Sequence, residues 1–149
     1  MELLETAYSF FQSIQWPVSY LEHSTALTME YPGRHGRWMC HLHLLEASDQ
    51  VIFYSIFPAS VPEDRRMAMT EFLCRANYGI ILGNFEMNLL DGELRYKTSI
   101  DVEGSGLSHA LLKPLVFGNV TMLDRYFDSL VGIIDQGISS EDALSLVER

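Results

Sequence analysis

Two histidines, His41 and His43, are the first candidates for chemistry in this sequence of 149 residues. They lie two residues apart in a segment typical of a β-strand, and a strand places such residues on one face. His35 or His23 could lie near them, and imidazole nitrogens are common zinc ligands. Two ligands are too few for a metal site, and Cys40 points to the opposite face of the strand. We therefore predict exposed strand histidines, with no bound metal and no other cofactor.

Ser108 and His109 are the second candidate, because a serine beside a histidine can act as a nucleophile with its base. No Gly-x-Ser-x-Gly motif presents the serine, and Ser108 is well placed to cap a helix that begins at His109. The stretch GNFEMNLLDG (83–92) leads into a strand, whereas a phosphate-binding loop leads onto a helix. Glu63 and Asp64 are paired carboxylates at a predicted helix start, where the helix dipole accounts for them. These patterns predict a protein that is not an enzyme.

The net charge of the chain limits the classes of partner that it can bind. Twenty acidic residues stand against 10 basic ones, which gives a formal net charge of −10. Such a surface repels a phosphate backbone and an anionic membrane, so we expect no nucleic-acid partner and no membrane partner. Neutral or basic protein partners remain compatible with it.

The expected location is the cytoplasm. No apolar run approaches the roughly 20 residues that a bilayer crossing requires. The first ten residues, MELLETAYSF, carry two Glu and no Lys or Arg, unlike the charged start of a secretory signal. Cys40 and Cys74 are far apart and form no paired motif, so both are interpreted as small buried thiols.

Hydrophobic periodicity predicts the elements that must position these residues. Apolar residues from Leu3 to Ile14 have helical spacing, and Trp16-Pro17 ends that helix. The stretches 25–31, 37–46 and 50–57 then alternate or are rich in β-branched and aromatic residues, which predicts three strands.

A second helix and a hairpin follow. Ser60 is the predicted N-cap of the helix, with Glu63 completing a capping box. Asp91-Gly92 predicts a two-residue hairpin turn, and the resulting register places Glu86 opposite Lys97 and Met87 opposite Tyr96.

The crowded stretch FGNVTMLDRYFDSL (117–130) belongs to the last long helical region. Pro114 and Gly118 predict a break or a kink, followed by a helix from Thr121 to Asp135 with a wide apolar stripe that covers a sheet. A short terminal helix is expected to start at Ser140. Together the elements predict one α+β domain over residues 1–149: an antiparallel five-stranded sheet with helices packed on one face, in the order α-βββ-α-ββ-α.

From about Trp38 onward the sequence resembles the YbjN-domain family of bacterial proteins, described as sensory transduction regulators. The resemblance is carried by VPEDRRMAMTEFLCRAN (61–77), GNFEMNLLDGELRYKTSID (83–101) and LSHALLKPLVFGNVTMLDRYFDSL (107–130). It implies a cytoplasmic α+β module with a fold like that of type III secretion chaperones and without a known catalytic site. It supplies no functional residues that can be transferred to this sequence.

One face of the predicted sheet is more apolar than a solvated face requires. If Val51, Phe53 and Phe57 point inward, the strand period of two turns other side chains of these strands outward. The outward apolar residues are Met39, Leu45, Ile52, Tyr54 and Ile56. They are either ordinary exposed hydrophobic residues or a contact surface for a second copy or a client protein.

The function that follows is a chaperone-like or regulatory adaptor that acts through protein contacts, with a homodimer as one form of contact. The alternative is a small-molecule sensor with a pocket between the helices and the sheet.

Overall fold

The computed structural model describes residues 2–21 and 23–147 of the chain. Its helices are α1 (Glu2–Ser13), α2 (Arg66–Asn77), α3 (His109–Asp135) and α4 (Ser140–Ser145). Its strands are β1 (Ser19–Tyr20), β2 (Ala26–Pro32), β3 (Arg37–Leu45), β4 (Gln50–Ile56), β5 (Asn84–Met87) and β6 (Leu94–Asp101). Single 3-10 turns span Glu46–Ser48 and Glu63–Arg65.

The described strands form one antiparallel sheet of six strands in the order β1-β2-β3-β4-β6-β5. The α+β class with an antiparallel sheet is confirmed, but the predicted count of five strands is wrong. The additional strand is β1, in which Ser19 and Tyr20 pair with Thr28 and Leu27 of β2. A strand of two residues is too short to show a periodic pattern in the sequence.

The helices cover one face of the sheet, which we call the inner face. Burial alternates along β3, β4 and β6, as expected when one side of a strand meets the core. The buried strand residues of this face are Leu27, Met29, Trp38, Cys40, Leu42, Leu44, Val51, Phe53, Ser55, Phe85, Leu94, Tyr96 and Thr98. From α3, Val120, Leu123, Phe127 and Leu130 are buried, so the crowding of apolar residues in 117–130 is explained by packing on the sheet.

One buried polar residue, Asn119 of α3, binds the two central strands β4 and β6. Its Nδ2 lies within hydrogen-bond distance of Phe53 O at 2.9 Å, and of Tyr96 O and Thr98 Oγ1 at 3.1 Å each. The hydroxyl of Ser55 donates to Asn119 Oδ1 at 2.6 Å. The amide is fully buried and fully used, so it fixes the position of α3 on the sheet.

The predicted break in α3 is wrong, because the helix is continuous from His109 to Asp135 with Pro114 inside it. Pro114 lacks the N–H that would bond the carbonyl of Ala110, but both residues are exposed, so water can reach that carbonyl. Gly118 costs about 1 kcal/mol relative to alanine in a helix interior. Packing of the buried face outweighs these local costs. The predicted cap is confirmed, since Leu111 N–H donates to Ser108 Oγ at 3.2 Å.

The β5–β6 hairpin has a longer loop than the sequence predicted. Met87 pairs with Leu94 and Glu86 pairs with Arg95, so residues 88–93 form the loop and the predicted register is shifted by two. Gly92 N–H donates to Asn88 O at 2.7 Å, which closes a wider turn than Asp91-Gly92 alone would make. A shift of two residues keeps every side chain on its predicted face.

Helix α2 begins later than predicted and without a side-chain cap, so the prediction of Ser60 as its N-cap is wrong. The chain is extended at Pro62, and Val61 N–H donates to Gly92 O at 2.9 Å. Tertiary contacts fix this segment instead: Arg65 donates to the carbonyls of Ile133 and Ile138, each at 2.7 Å.

Candidate protein-contact surface

The five predicted contact residues lie on the sheet face turned away from the helices, the outer face. We call Met39, Leu45, Ile52, Tyr54 and Ile56 the outer patch. Met39 is directly opposite Ile56 in the β3–β4 pairing, and Ile52, Tyr54 and Ile56 alternate along β4. Met39 is 44% exposed and Leu45 is 40% exposed, while the three β4 residues are half-buried. Leu45 lies at the far end of the patch, opposite Gln50.

Charged and polar side chains surround this patch on both sides. Tyr54 has His41 opposite it in β3 and Lys97 opposite it in β6, and the Arg95 guanidinium lies 4.0 Å from the centre of the Tyr54 ring. Glu86 of β5 binds Arg95 at 2.8 Å and Lys97 at 3.0 Å. Glu93 also lies 3.9 Å from Arg95, so both cations beside the patch have carboxylate partners within the domain.

Electrostatics around Glu86 favour its charged form. Partial burial acts to raise the pKa of Glu86, but the hydrogen bonds from Lys97 and Arg95 outweigh burial and lower it below 4.5. The carboxylate is thus ionised at neutral pH and holds both cations at the edge of the patch.

The two strand histidines lie side by side on the outer face of β3. His41 and His43 have ring centres 6.2 Å apart, and His43 packs edge-on against Tyr54. Burial, together with the nearby His41 and Arg95, lowers the pKa of His43. His35 lies elsewhere, with Nδ1 3.0 Å from Asp128 of α3. Within residues 2–21 and 23–147, no three His, Cys, Asp or Glu side chains come together as metal ligands would.

The remaining chemistry candidates have structural roles. Cys40 is buried on the inner face, where burial raises the pKa of its thiol to about 12. Cys74 is exposed, so its prediction as a buried thiol is wrong; it lies on the solvent side of α2. Ser108 caps α3, and the ring of His109 packs edge-on against Phe10.

A groove on the solvent side of α3 was missed by the sequence analysis. It lies between the α2–β5 loop and α3, and its volume is about 760 Å³. We call it the α3 groove; its lining residues are Ala76, Tyr78, Gly79, Ile80, Ile81, Leu82, Phe117, Gly118, Thr121, Met122, Arg125 and Tyr126. Tyr78 is 93% exposed and Ile81 is 94% exposed. The available signal was YGIILG (78–83), an apolar run between two glycines that is too short for a helix.

A second groove of about 600 Å³ adjoins the first, and Phe117 lines both. It is bordered by Ile14, Trp16 and Pro17 after α1 and by Tyr31, Pro32 and Arg37 of the β2–β3 hairpin. Both grooves lie outside the helix layer. The space between α3 and the sheet, where the alternative sensor pocket was expected, is filled by core side chains and the Asn119 hydrogen bonds.

The architecture defines a class: a small α+β module with helices on one side of an antiparallel sheet and apolar residues exposed on the other. The family model that matches the chain, over residues 4–131, is YbjN, described as "Putative bacterial sensory transduction regulator". The chain therefore belongs to the YbjN family, as its sequence indicated.

Solved structures share this fold at low sequence identity. The YbjN protein of E. coli, titled a putative transcription regulator, has a TM-score of 0.62 and 12% identity, with 97% of this chain and 94% of that chain covered. The ExsC–ExsE complex contains a chain with a TM-score of 0.51 and 13% identity, with 82% and 91% covered. The HopA1–SchA chaperone–effector complex contains one with a TM-score of 0.48 and 15% identity, with 83% and 92% covered. Comparison with curated proteins gave no match.

Among the helices of the described residues, none is both long enough and apolar enough to cross a bilayer.

Proposed function

We propose that this protein is a non-enzymatic cytoplasmic adaptor that acts through protein contacts made by the outer patch. The partner is a second copy of the chain or another protein. The observation that carries the proposal is the row of apolar side chains on the sheet face that none of the helices in residues 2–21 and 23–147 covers. A sheet needs only one apolar face to bind its helices, so a second one calls for a partner.

The surroundings of the patch favour protein contact. Interfaces typically have an apolar centre and a polar rim. Here the rim charges are paired with one another: Glu86 with Arg95 and Lys97 on one side, and Glu30 with Arg37 on the other. A partner can cover the apolar centre without leaving an isolated cation behind, which keeps the cost of desolvation low.

The comparisons support the same function in a general way. The family description is that of a regulator, and a chain of similar fold is found in a complex with a second protein, ExsC with ExsE. Ser108 serves as a helix cap and Cys40 is a buried core thiol, which supports a role without catalysis.

The test replaces Ile52 and Ile56 by Asp in one variant. Neither side chain belongs to the inner core, so we expect the variant to fold with a Tm close to that of the parent. Self-association, measured by sedimentation equilibrium, or binding to an identified partner should weaken at least about tenfold, because two charges would be buried in the contact. The matched control is Ser9→Asp with Gln12→Asp on the exposed face of α1, which adds the same charge elsewhere.

A partner that is not a second copy can be found by site-specific crosslinking. A photo-reactive phenylalanine at position 39 should crosslink a protein in the cell of origin, whereas the same group at position 9 should not. A folded double variant with unchanged association and unchanged crosslinks would show that the outer patch is ordinary surface. A variant that unfolds would show that the patch belongs to the core.

A further inference from the structure

The α2–β5 loop forms one wall of the α3 groove and exposes apolar side chains although it is held in place. In the α2–β5 loop, Gly79 and Gly83 have φ values of 90° and 82°, which turn the chain sharply at both ends of the apolar run. The loop is held in place, since Tyr96 Oη donates to Leu82 O at 2.5 Å. Ile81 is nevertheless almost completely exposed. An anchored loop with exposed apolar side chains is typical of a binding surface.

The groove continues across the helix. Phe117 lies where it meets the second groove, so the two form one path from Trp16 and Pro17, over α3, to Ile81 and Leu82. Their volumes of about 760 and 600 Å³ are each in the range of a small-molecule site. Both are open to solvent and joined end to end, which suits an elongated occupant better than a compact one.

Arg125 is the charged residue in the lining of the α3 groove, whereas the second groove is lined by Glu30 and Arg37, which pair with each other. The side chains of Lys113 and Arg125 on α3 make no ion pair and no hydrogen bond with residues 2–21 and 23–147. Arg125 lines the α3 groove, and Lys113 is exposed one helical turn before Phe117. By contrast, the guanidinium groups of Arg65 and Arg66 bind carbonyls, and Arg37, Arg75, Arg95 and Lys97 bind carboxylates.

We propose that the α3 groove binds an acidic, apolar peptide segment of a partner protein. A carboxylate of the segment pairs with Arg125, and its apolar side chains cover Ile81, Leu82 and Phe117. This surface is on the opposite side of the sheet from the outer patch, and the proposal is independent of the proposed function.

Charge favours a peptide over a membrane surface as the occupant. The domain carries a net charge of −10, which repels an extended anionic surface, whereas a single carboxylate needs only one local cation. The α2–β5 loop borders one end of the path and the β2–β3 hairpin borders the other, so the path is a confined surface that suits a short peptide segment better than a broad bilayer.

The test is selection of binding peptides from a random phage-displayed library on the full-length protein. We expect the enriched sequences to combine Asp or Glu with neighbouring apolar residues. The most enriched peptide, labelled with fluorescein, should bind about tenfold more weakly to Arg125→Ala and to Phe117→Ala in an anisotropy titration. With Arg125→Glu, selection should turn to peptides with Lys or Arg.

Matched variants separate this site from other surfaces. Lys97→Ala removes the same charge from the outer face, and Ile52→Asp with Ile56→Asp alters the outer patch; peptide binding should survive both. The proposal is overturned if no peptides are enriched, if they lack carboxylates, or if their binding does not depend on Arg125. If the protein sedimented with phosphatidylglycerol vesicles and Arg125→Ala abolished this, the groove would be a lipid site. That result would also overturn the peptide proposal.

Discussion

The two faces of the central strands are built from neighbouring residues and behave differently. In β4, Phe53 is fully buried under α3, while Tyr54 on the other side is half-buried and contacts Arg95 and His43. Both faces are rich in apolar side chains. On the inner face the buried polar groups around Asn119 form hydrogen bonds with one another. On the outer face charged side chains surround the apolar residues of the outer patch, which no helix of the described residues covers. Similar composition therefore does not imply a similar role, because the helices of the described residues cover only one of the two faces.

The largest expected difference between the faces comes from truncating neighbours in β4. Phe53→Ala should lower the free energy of unfolding by about 3–5 kcal/mol, because it leaves a cavity in the core. Tyr54→Ala should cost about 1 kcal/mol, since it loses mainly partly exposed contacts with Arg95 and His43. Urea denaturation of both variants measures the contrast, and equal losses would contradict the division into a covered and an open face.

A polar truncation on the inner face comes next. Asn119→Ala should reduce stability by roughly 2–4 kcal/mol, because buried partners in β4 and β6 lose their hydrogen bonds. Thr121→Ala, an exposed change in the same helix, should stay within about 0.5 kcal/mol. If Asn119→Ala were as mild as its control in chemical denaturation, the network would not hold α3 on the sheet.

A smaller loss of stability is expected from a substitution in the β5–β6 loop, at the edge of the sheet. Gly92 has a φ of 78°, and a Cβ there would lie 2.3 Å from Val61 O. Gly92→Val should therefore cost about 2 kcal/mol or more. Gly104→Val is the matched control, because Gly104 has a φ of 81° and open space around it. Thermal unfolding should show a larger loss for Gly92→Val, and equal losses would mean that the contact with Val61 is unimportant.

The smallest effect concerns charge on the outer face. Glu86 has a lowered pKa in the folded state, so its stabilising contribution is present at neutral pH and is lost as the pH falls through that folded value. Glu86→Gln should cost no more than about 1 kcal/mol at pH 7. The difference from the parent protein should shrink as the pH falls below 4.5. Denaturation curves at pH 7 and pH 3 test this, and a constant difference would contradict the ion pairs with Arg95 and Lys97.

Strand periodicity made much of the sheet predictable from sequence. The alternation in 50–57 was sufficient to place Ile52, Tyr54 and Ile56 on one face, because a period of two leaves no other arrangement. Helix and loop details were less predictable. Pro114 and Gly118 are local signals for a break, but burial of the α3 stripe outweighs them. The Asp91-Gly92 turn was overridden by the contact of Gly92 with Val61, which is distant in sequence.

The α3 groove could not be predicted because it is formed by two stretches of the chain, 76–82 and 117–126, that are distant in sequence. Its α2–β5 loop is visible in the sequence as YGIILG, but the loop acquires a partner surface only when α3 crosses beside it. The second groove likewise needs the end of α1 and the β2–β3 hairpin to meet at Phe117. Side chains that converge through tertiary structure leave no periodic pattern to read.

The Asn119 hydrogen bonds have a consequence for the order in which the protein assembles. The strands β1 to β4 pair with sequence neighbours, and so do β5 and β6, but the pairing of Val51 with Ile100 joins the two sets across a long stretch of chain. Loop closure makes this pairing the slowest to form. The amide that binds both strands lies in α3, which leaves the ribosome after them. We therefore expect nascent chains that end before α3 to keep the two halves of the sheet unjoined, with the apolar residues of β4 open to chaperones or to other nascent chains.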